Sequence, residues 1–285
     1  MADQQTVKRL RELAYRQRVK LIELCGSYDG PVHIGGDLSM TDILIALYHY
    51  GMHVDPGDIN MPDRDRFILS KGHAAVCMFI TMAMRGFLDM DEIFRTYGQV
   101  NSAFGQHPCK VQLPGVETSS GSLGHGLSLA CGMALMARQR KESYRVFCMM
   151  GDGETCEGSV WEAAMLAGSY KLGNIVGIVD RNHQFMTQFS ETGRMNLEPY
   201  ADKWRAFGWN VIEVDGHDMA QIVDAIDALP PPGSDKPTLI LAETIKGKGV
   251  SYMERNIDWH AGKLSGEMAS EALADLAARY ERGDF

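Results

Sequence analysis

Residues 151–182, GDGETCEGSVWEAAMLAGSYKLGNIVGIVDRN, carry a carboxylate near one end and an amide at the other. Asp152 follows the apolar stretch RVFCMM after one glycine, and Asn182 follows the apolar stretch NIVGIVD after one arginine. Carboxylate and amide oxygens are suitable ligands for Mg²⁺ or Ca²⁺, whose coordination is often completed by phosphate oxygens and water. Gly151 and Gly153 would let a diphosphate approach the main chain. The spacing therefore predicts a divalent cation that bridges the protein and a diphosphate.

One helix and one strand lie between these two polar residues. In a right-handed βαβ unit the two strands are parallel, and their carboxyl ends open on the same side of the sheet. Ligands bind at that side in open α/β sheets. If the two strands are neighbours, Asp152 and Asn182 converge there. The alternative is that GDG is only a tight turn and DRN only a helix cap; the complete spaced pattern favours the cation site.

Strand and helix patterns alternate along much of the chain. The stretches RFILS, RVFCMM, NIVGIVD, NVIEVDG and PTLILAE predict five strands, and helical periodicity separates several of them. A helix is predicted over residues 5–26 and another over about 39–50, with Ser39 as its N-cap. The long segment 98–124 is predicted to be an irregular, ordered and functional loop. Together these patterns predict one α/β domain over residues 1–285, with a mostly parallel sheet and helices on both faces.

Composition argues against several classes of protein. A formal net charge of −9 over 285 residues offers no basic excess for a nucleic-acid partner. No apolar run approaches the roughly 18 residues that a membrane span needs. The N-terminus MADQQTVKRL lacks the apolar core of a signal peptide, so we expect a cytoplasmic protein without a membrane partner. The six cysteines include no CxxC pair, and neither a zinc site nor a disulfide framework is indicated.

The stretch from GDG to DRN also resembles the thiamine diphosphate motif, which begins with GDG and ends in an asparagine about 30 residues later. The segments SKGHAA, GVETSSGSLGHGLSLACGMAL, KGKGVSYMERN and WHAGKL are similar to elements of transketolases and occur in the expected order. This resemblance covers residues 10–264. It implies the thiamine diphosphate-binding fold, in the form of the diphosphate-binding (PP) domain. The implied cofactors are thiamine diphosphate and Mg²⁺, or Ca²⁺ or Mn²⁺ in its place.

The same resemblance implies roles for individual residues. Asp152 and Asn182 would bind the metal together with the main-chain carbonyl of Gln184. Glu157 matches a glutamate at the subunit interface near the cofactor's activating carboxylate, and it could equally favour a helix dipole as an N-terminal acid. His125 stands where transketolases often have glutamine, beside the cofactor. The full set of predicted cofactor-binding residues is His73, Leu123, Gly124, His125, Gly151, Asp152, Gly153, Glu157, Asn182, Lys246 and His260. Of these, Lys246 in the stretch KGKG could equally belong to a solvated loop.

Four histidines match catalytic positions of the family: His33, His73, His107 and His260. His107 corresponds to the histidine that binds the terminal hydroxyl of the donor sugar. The loop around His33, GPVHIGGDLS, departs from the usual GHPGG pattern of the family. Imidazoles titrate near neutrality, so such side chains can donate to sugar hydroxyls and relay protons.

The resemblance further implies a partner chain. In transketolases, the glutamate that activates the aminopyrimidine ring belongs to a pyrimidine-binding domain, which we expect, with the C-terminal domain, on a separate chain. We therefore expect a split transketolase, a heterotetramer that transfers a two-carbon ketol group from a ketose or its phosphate to an aldose or its phosphate.

Three alternatives stay open at this point. One is the α-type subunit of a 2-oxo acid dehydrogenase, and another is a protein like deoxyxylulose-phosphate synthase. The third is a thiamine-binding module without enzymatic activity. The histidine-containing loops SKGH and FGQHP and the segment WHAGKL favour sugar chemistry.

Overall fold

The structure, a computed structural model, describes residues 2–185 and 195–284. Five strands lie in that part of the chain: β1 (Arg66–Leu69), β2 (Val146–Gly151), β3 (Ile175–Arg181), β4 (Asn210–Asp215) and β5 (Thr238–Glu243). The α-helices described are α1 (Gln4–Ser27), α2 (Ile34–Ser39), α3 (Thr41–Ala46), α4 (Ala75–Arg85), α5 (Met90–Thr96), α6 (Gly126–Arg140), α7 (Gly158–Ser169), α8 (Tyr200–Ala206), α9 (Met219–Asp227) and α10 (Gly266–Arg282).

The five described strands form one parallel sheet in the order β1-β2-β3-β5-β4. Strands β2, β3 and β5 are buried along almost their whole length and are apolar on both faces. Continuous apolar strands of this kind are typical of a parallel sheet that is covered on both sides. The predicted α/β class with a mostly parallel sheet is confirmed.

Helices pack on both faces of the sheet, as predicted. Successive residues of β2 show the two layers, because Phe147 belongs to one core and Cys148 to the other. The first core contains buried residues of α1, α3, α4, α9 and α10, and the second contains buried residues of α6, α7 and α8. Alternation along a strand sends neighbouring side chains to opposite faces, so one strand contributes to both cores.

The predicted helix over 39–50 is wrong in its start and in its continuity. Ser39 ends α2 instead of capping a helix, and α3 is followed by a π-helical turn over Leu47–Gly51. The Ser39 hydroxyl lies 3.1 Å from the carbonyl of Gly36 and 2.6 Å from a carboxylate oxygen of Asp180, and donates into the interior. A buried carboxylate thus binds the hydroxyl that the sequence pattern assigned to a cap.

The long loop is irregular, as predicted, since no helix or strand lies between α5 and α6 over residues 98–124. Helix α5, which precedes this loop, was not predicted. Its N-cap is Asp89, whose side chain accepts a hydrogen bond of 2.9 Å from the main-chain N–H of Glu92. Among the described helices, none combines the length and the apolar character needed to cross a bilayer.

Candidate cofactor site at the carboxyl end of the sheet

The strand order brings the carboxyl ends of β2, β3 and β5 together at one edge of the sheet. Gly151 at the end of β2 is in register with Asp180 of β3, and Asp180 is in register with Ala242 of β5. A cavity of about 410 Å³ opens beyond these strand ends, a size typical of small-molecule sites. Its lining residues are His33, Lys71, His73, Gly121, Leu123, Gly151, Asp152, Gly153, Glu154, Cys156, Asn182, Gln184, Phe185, Met195, Lys246 and His260.

The two predicted metal-binding side chains are both buried at this edge. Asp152 is 2% exposed, and its carboxylate accepts 2.8 Å hydrogen bonds from the main-chain N–H groups of Gly153 and His183. Asn182 is 7% exposed, and its Oδ1 accepts from the N–H of Gln184 at 3.2 Å. The adjacent pairing of β2 and β3 therefore produces the convergence that the sequence spacing required.

A second carboxylate, Asp180, lies behind this pair and is fully buried. It accepts hydrogen bonds from the amide of Asn182 at 3.2 Å, from the ammonium of Lys71 and from the hydroxyl of Thr244. Burial by itself would raise the pKa of Asp180, but Lys71 and the hydroxyl donors hold this pKa below its usual value. Because the carboxylate of Asp180 accepts from the amide nitrogen of Asn182, the amide oxygen of Asn182 must point away from Asp180.

Asp152, in contrast, forms no ion pair within the described residues. Burial and the nearby charge of Asp180 raise the pKa of Asp152 to about 6. A divalent cation would stabilise the ionised form of this carboxylate. No group of three or more His, Cys, Asp or Glu side chains suited to a metal occurs in the described ranges. One carboxylate, one amide and one carbonyl oxygen nevertheless suit Mg²⁺ when phosphate and water complete its shell.

Two lysines give the cavity its positive charge. The ammonium of Lys71 donates to the carbonyl of Gly36 at 3.0 Å, besides its contact with Asp180. The ammonium of Lys246 lies 2.7 Å from Nδ1 of His260 and 3.4 Å from the carbonyl oxygen of Gln184. Burial and the charge of Lys71 lower the pKa of Lys246 to about 8. Two ammonium groups at the cavity favour an anionic ligand such as a phosphate.

Three of the four predicted catalytic histidines meet in the cavity. The ring centroid of His73 lies 5.3 Å from that of His33 and 5.6 Å from that of His260, and the centroids of His33 and His260 lie 5.8 Å apart. Burial, followed by neighbouring positive charges, lowers the pKa of His73 to about 2 and of His260 to about 3. Burial also lowers the pKa of His33. The three imidazoles are therefore neutral near pH 7, and each ring offers one donor and one acceptor.

The fourth, His107, does not line the cavity. It is exposed on the long loop, and a Cβ added to the cavity-lining Gly121 would lie 3.3 Å from its Cδ2. Partial desolvation of its ring lowers the pKa of His107 as well. His107 therefore stands at the rim, one glycine away from the cavity.

Three predicted cofactor residues also lie outside the cavity lining. Gly124 has a positive φ of 84°, and its N–H donates to Glu154 at 2.8 Å. His125 is exposed at the start of α6 and lines a separate surface cavity of about 370 Å³. Glu157 is exposed just before α7, and its Cβ would lie 2.7 Å from a Cβ at Gly124. Their neighbour Leu123 does reach the cavity.

Several lining residues were missed from the sequence, of which Lys71 and Glu154 make the most contacts. Glu154 accepts hydrogen bonds from the Ser70 hydroxyl and from the N–H groups of Gly124 and Gly151, at 2.5, 2.8 and 3.2 Å. It therefore connects the end of β1, the long loop and the end of β2. Lys71 follows β1 by two residues, so the strand-end rule that pointed to Asp152 also identifies it.

The family model for the transketolase thiamine diphosphate-binding domain matches residues 3–278. The chain belongs to this family. The thiamine diphosphate-binding fold expected from the resemblance is thus confirmed.

Relatives that are named as single subunits of transketolases match this transketolase-family chain along most of their length. An apulose-4-phosphate transketolase subunit of Phocaeicola vulgatus is 40% identical over 275 residues, which are 96% of this chain and 92% of that protein. The 6-deoxy-6-sulfo-D-fructose transketolase subunit of a Clostridium species is 38% identical over 87% of this chain and 89% of its own. These relatives confirm the prediction that this chain is one subunit of a split transketolase.

Solved transketolases contain the same fold within a longer chain. The Campylobacter jejuni transketolase is 26% identical, with a TM-score of 0.82, over 97% of this chain and 43% of that one. The Leishmania mexicana enzyme, at 24% identity and a TM-score of 0.83, shows the likeness of fold alone. This chain spans less than half the length of both.

Proposed function

We propose that this chain, folded as one PP-type domain, is the diphosphate-binding subunit of a two-subunit transketolase. The enzyme transfers a two-carbon ketol group from a ketose or ketose phosphate to an aldose or aldose phosphate. The observation that carries the proposal is a buried Asp152, without an ion pair among the described residues, beside Asn182 in a cavity with two lysines. Similarity to single transketolase subunits over most of their length supports it.

In this proposal the chain binds thiamine diphosphate through its diphosphate. Asp152, Asn182 and the carbonyl of Gln184 hold Mg²⁺, or Ca²⁺ or Mn²⁺, and the main chain at Gly151 and Gly153 approaches the phosphate oxygens. Lys246 neutralises part of the diphosphate charge. The bound cofactor supplies the nucleophilic carbon and the electron sink of ketol transfer.

The histidines serve the substrate in this proposal. His33, His73 and His260 bind hydroxyl groups and move protons, which neutral imidazoles can do in either direction. His107, from the rim, binds the terminal hydroxyl of the donor. His73 and His260 also contact the diphosphate. Of the remaining predicted cofactor residues, Leu123 lines the cavity and would face the cofactor rings, and Gly124 and His125 follow it directly outside the cavity lining.

A second chain completes the enzyme. It carries the pyrimidine-binding domain, and the exposed carboxylate of Glu157 faces it in a cytoplasmic heterotetramer. The names of the relatives mention a sugar phosphate and a sulfo-sugar, which supports a ketose substrate with an anionic group.

The test is a reconstitution. The full chain is mixed with a chain that carries the pyrimidine-binding domain, thiamine diphosphate and Mg²⁺, and ketol transfer from ketose phosphates is followed by coupled assay. We expect activity from the mixture and none from either chain alone. Robust activity of the isolated chain would contradict a split enzyme. Decarboxylation of 2-oxo acids without ketol transfer would instead support the 2-oxo acid dehydrogenase alternative, which the transketolase relatives disfavour.

A further inference from the structure

A second polar cluster lies behind the cavity and contributes no lining residue to it. Arg18 of α1 forms two hydrogen bonds with the carboxylate of Asp42 in α3, at 2.6 and 2.8 Å. Nδ1 of His217 lies 2.8 Å from the same carboxylate. The side chain of Arg18 is 0% exposed, and those of Asp42 and His217 are each 7% exposed. Burial would raise the pKa of Asp42, but Arg18 and His217 hold it well below its usual range.

The tautomer of His217 follows from its two contacts. The main-chain N–H of Ile245 donates to Nε2 of His217 at 2.8 Å, so Nε2 carries no proton. The proton of the neutral ring must then lie on Nδ1, where it is donated to Asp42. Asp42 thus orients a histidine whose second nitrogen binds the main chain of another segment, as a carboxylate orients a metal-bound histidine.

That segment is the turn that carries Lys246. On one side of Lys246, Ile245 is bound by His217; on the other, the carbonyl of Lys248 accepts from Nε of Arg18 at 3.3 Å. Between them, the N–H of Gly247 donates to the carbonyl of Gly35 at 3.0 Å. The cluster therefore binds the main chain on both sides of the lysine whose ammonium reaches the cavity.

We propose that Arg18, Asp42 and His217 form a positioning cluster that sets the place of the Lys246 ammonium for an anionic, diphosphate-bearing ligand. None of the three touches that ligand; they act through the main chain at 245 and 248. The proposal rests on the proposed function for the identity of the ligand. The clamp, meaning the hydrogen bonds of His217 and Arg18 to the main chain at 245 and 248, rests on the structure alone.

Two substitutions of His217 separate its two contacts. Glutamine reaches the position of Nε2 and can still accept from Ile245, whereas asparagine reaches only the position of Nδ1 and can still donate to Asp42. The matched control is His53→Asn, because His53 is an exposed histidine outside the site. Hydrogen exchange of residues 245–248 is measured on the full chain without cofactor. We expect faster exchange at Ile245 in His217→Asn, and wild-type exchange in His217→Gln and in His53→Asn. Unchanged exchange in His217→Asn would overturn the clamp.

A double-mutant cycle then tests whether the cluster acts through Lys246. Binding of thiamine diphosphate with Mg²⁺ to the full chain is measured by calorimetry. We expect His217→Asn to weaken binding about fivefold, the effect of one lost hydrogen bond, and to have almost no effect in a Lys246→Met background. Equal losses in both backgrounds would mean general destabilisation and would overturn the proposal.

Failure of the proposed function gives a different result. A wild-type chain that binds no thiamine diphosphate, by itself or with its partner chain, would contradict that function. The exchange measurement needs no ligand, so it would still decide for or against the clamp.

Discussion

Two regions of this chain contain buried or half-buried histidines: the positioning cluster, with His217, and the cavity, with His33, His73 and His260. They differ in how completely their ring nitrogens are hydrogen-bonded. In the positioning cluster, both ring nitrogens of His217 have partners at 2.8 Å. In the cavity, among the described residues, only His260 of the three rings has a side-chain hydrogen bond, to Lys246. One region uses an imidazole as a fixed connection between segments, and the other holds two imidazoles, those of His33 and His73, without a side-chain hydrogen bond to the described residues.

The carboxylates of the two regions differ in the same way. Asp42 is paired with a buried arginine, and its pKa is held low. Asp152 has no ion pair in the described part of the chain, and burial raises its pKa to about 6. Buried polar groups are normally satisfied, so an unpaired set in a cavity indicates a ligand, whereas a paired set indicates structure. Substitutions in the positioning cluster should therefore lower stability most, and substitutions in the cavity should lower cofactor binding most.

The largest effect on stability is expected from Arg18→Met. The substitution leaves Asp42 buried without its main cation, which costs about 3–5 kcal/mol of unfolding free energy. Urea denaturation measures this cost. Arg16→Met, two residues earlier on the same helix, removes an exposed pair with Glu12 and should cost less than about 1 kcal/mol. Equal effects of both substitutions would show that the cluster is not a stabilising unit.

Asp152→Asn should weaken cofactor binding strongly without lowering stability. We expect Mg²⁺-dependent binding of thiamine diphosphate to weaken by about 100-fold or more, measured by calorimetry, because the proposed metal ligand is lost. The pKa of Asp152 is raised in the folded chain, so its ionised form destabilises the cofactor-free protein above about pH 6. The neutral amide removes that cost, and stability at pH 8 should not fall.

The control for this change is Asp63→Asn, at a half-exposed surface carboxylate. It should leave both cofactor affinity and stability as they are. Retained affinity in Asp152→Asn would remove Asp152 from the metal site.

His73→Gln should reduce turnover and leave folding intact. If His73 transfers protons as proposed, its loss should lower kcat about 100-fold in the reconstituted enzyme. The unfolding free energy at pH 7.5 should change by less than about 0.5 kcal/mol, because the ring forms no hydrogen bond with the described residues. A large loss of stability with unchanged kcat would assign His73 to structure.

The smallest expected effect concerns pH. The pKa of His73 falls from 6.5 to about 2 on folding, so the unfolded chain binds more protons between these values. Stability of the cofactor-free protein must then decrease as pH falls below about 6.5. Urea denaturation at pH 7.5 and 5.5 should show a decrease about 1 kcal/mol smaller in His73→Gln than in the wild type. A decrease of equal size would mean that His73 is already protonated in the folded chain.

Part of the site could be predicted from local signals. Asp152 and Asn182 follow short apolar stretches of strand length that are bounded by turn residues, and the strand-end rule needs no further information. The SKGH segment could have added Lys71 by the same rule. Ser39 was wrongly predicted as an N-cap, because serine often stands directly before a helical pattern. In the structure its hydroxyl instead donates to the buried carboxylate of Asp180.

Alone, then, the sequence determined the alternation of strands and helices, the parallel sheet and the residues at the strand ends, because periodicity and turn residues act over short distances. Only the tertiary structure decided the order β1-β2-β3-β5-β4, which places Lys246 beside β3 and leaves β4 at the edge. It also decided which imidazoles meet: an antiparallel bridge between Val32 and Gly262 brings together the segments of His33 and His260. Contacts between residues more than 200 positions apart depend on packing of the whole domain, which local patterns do not encode.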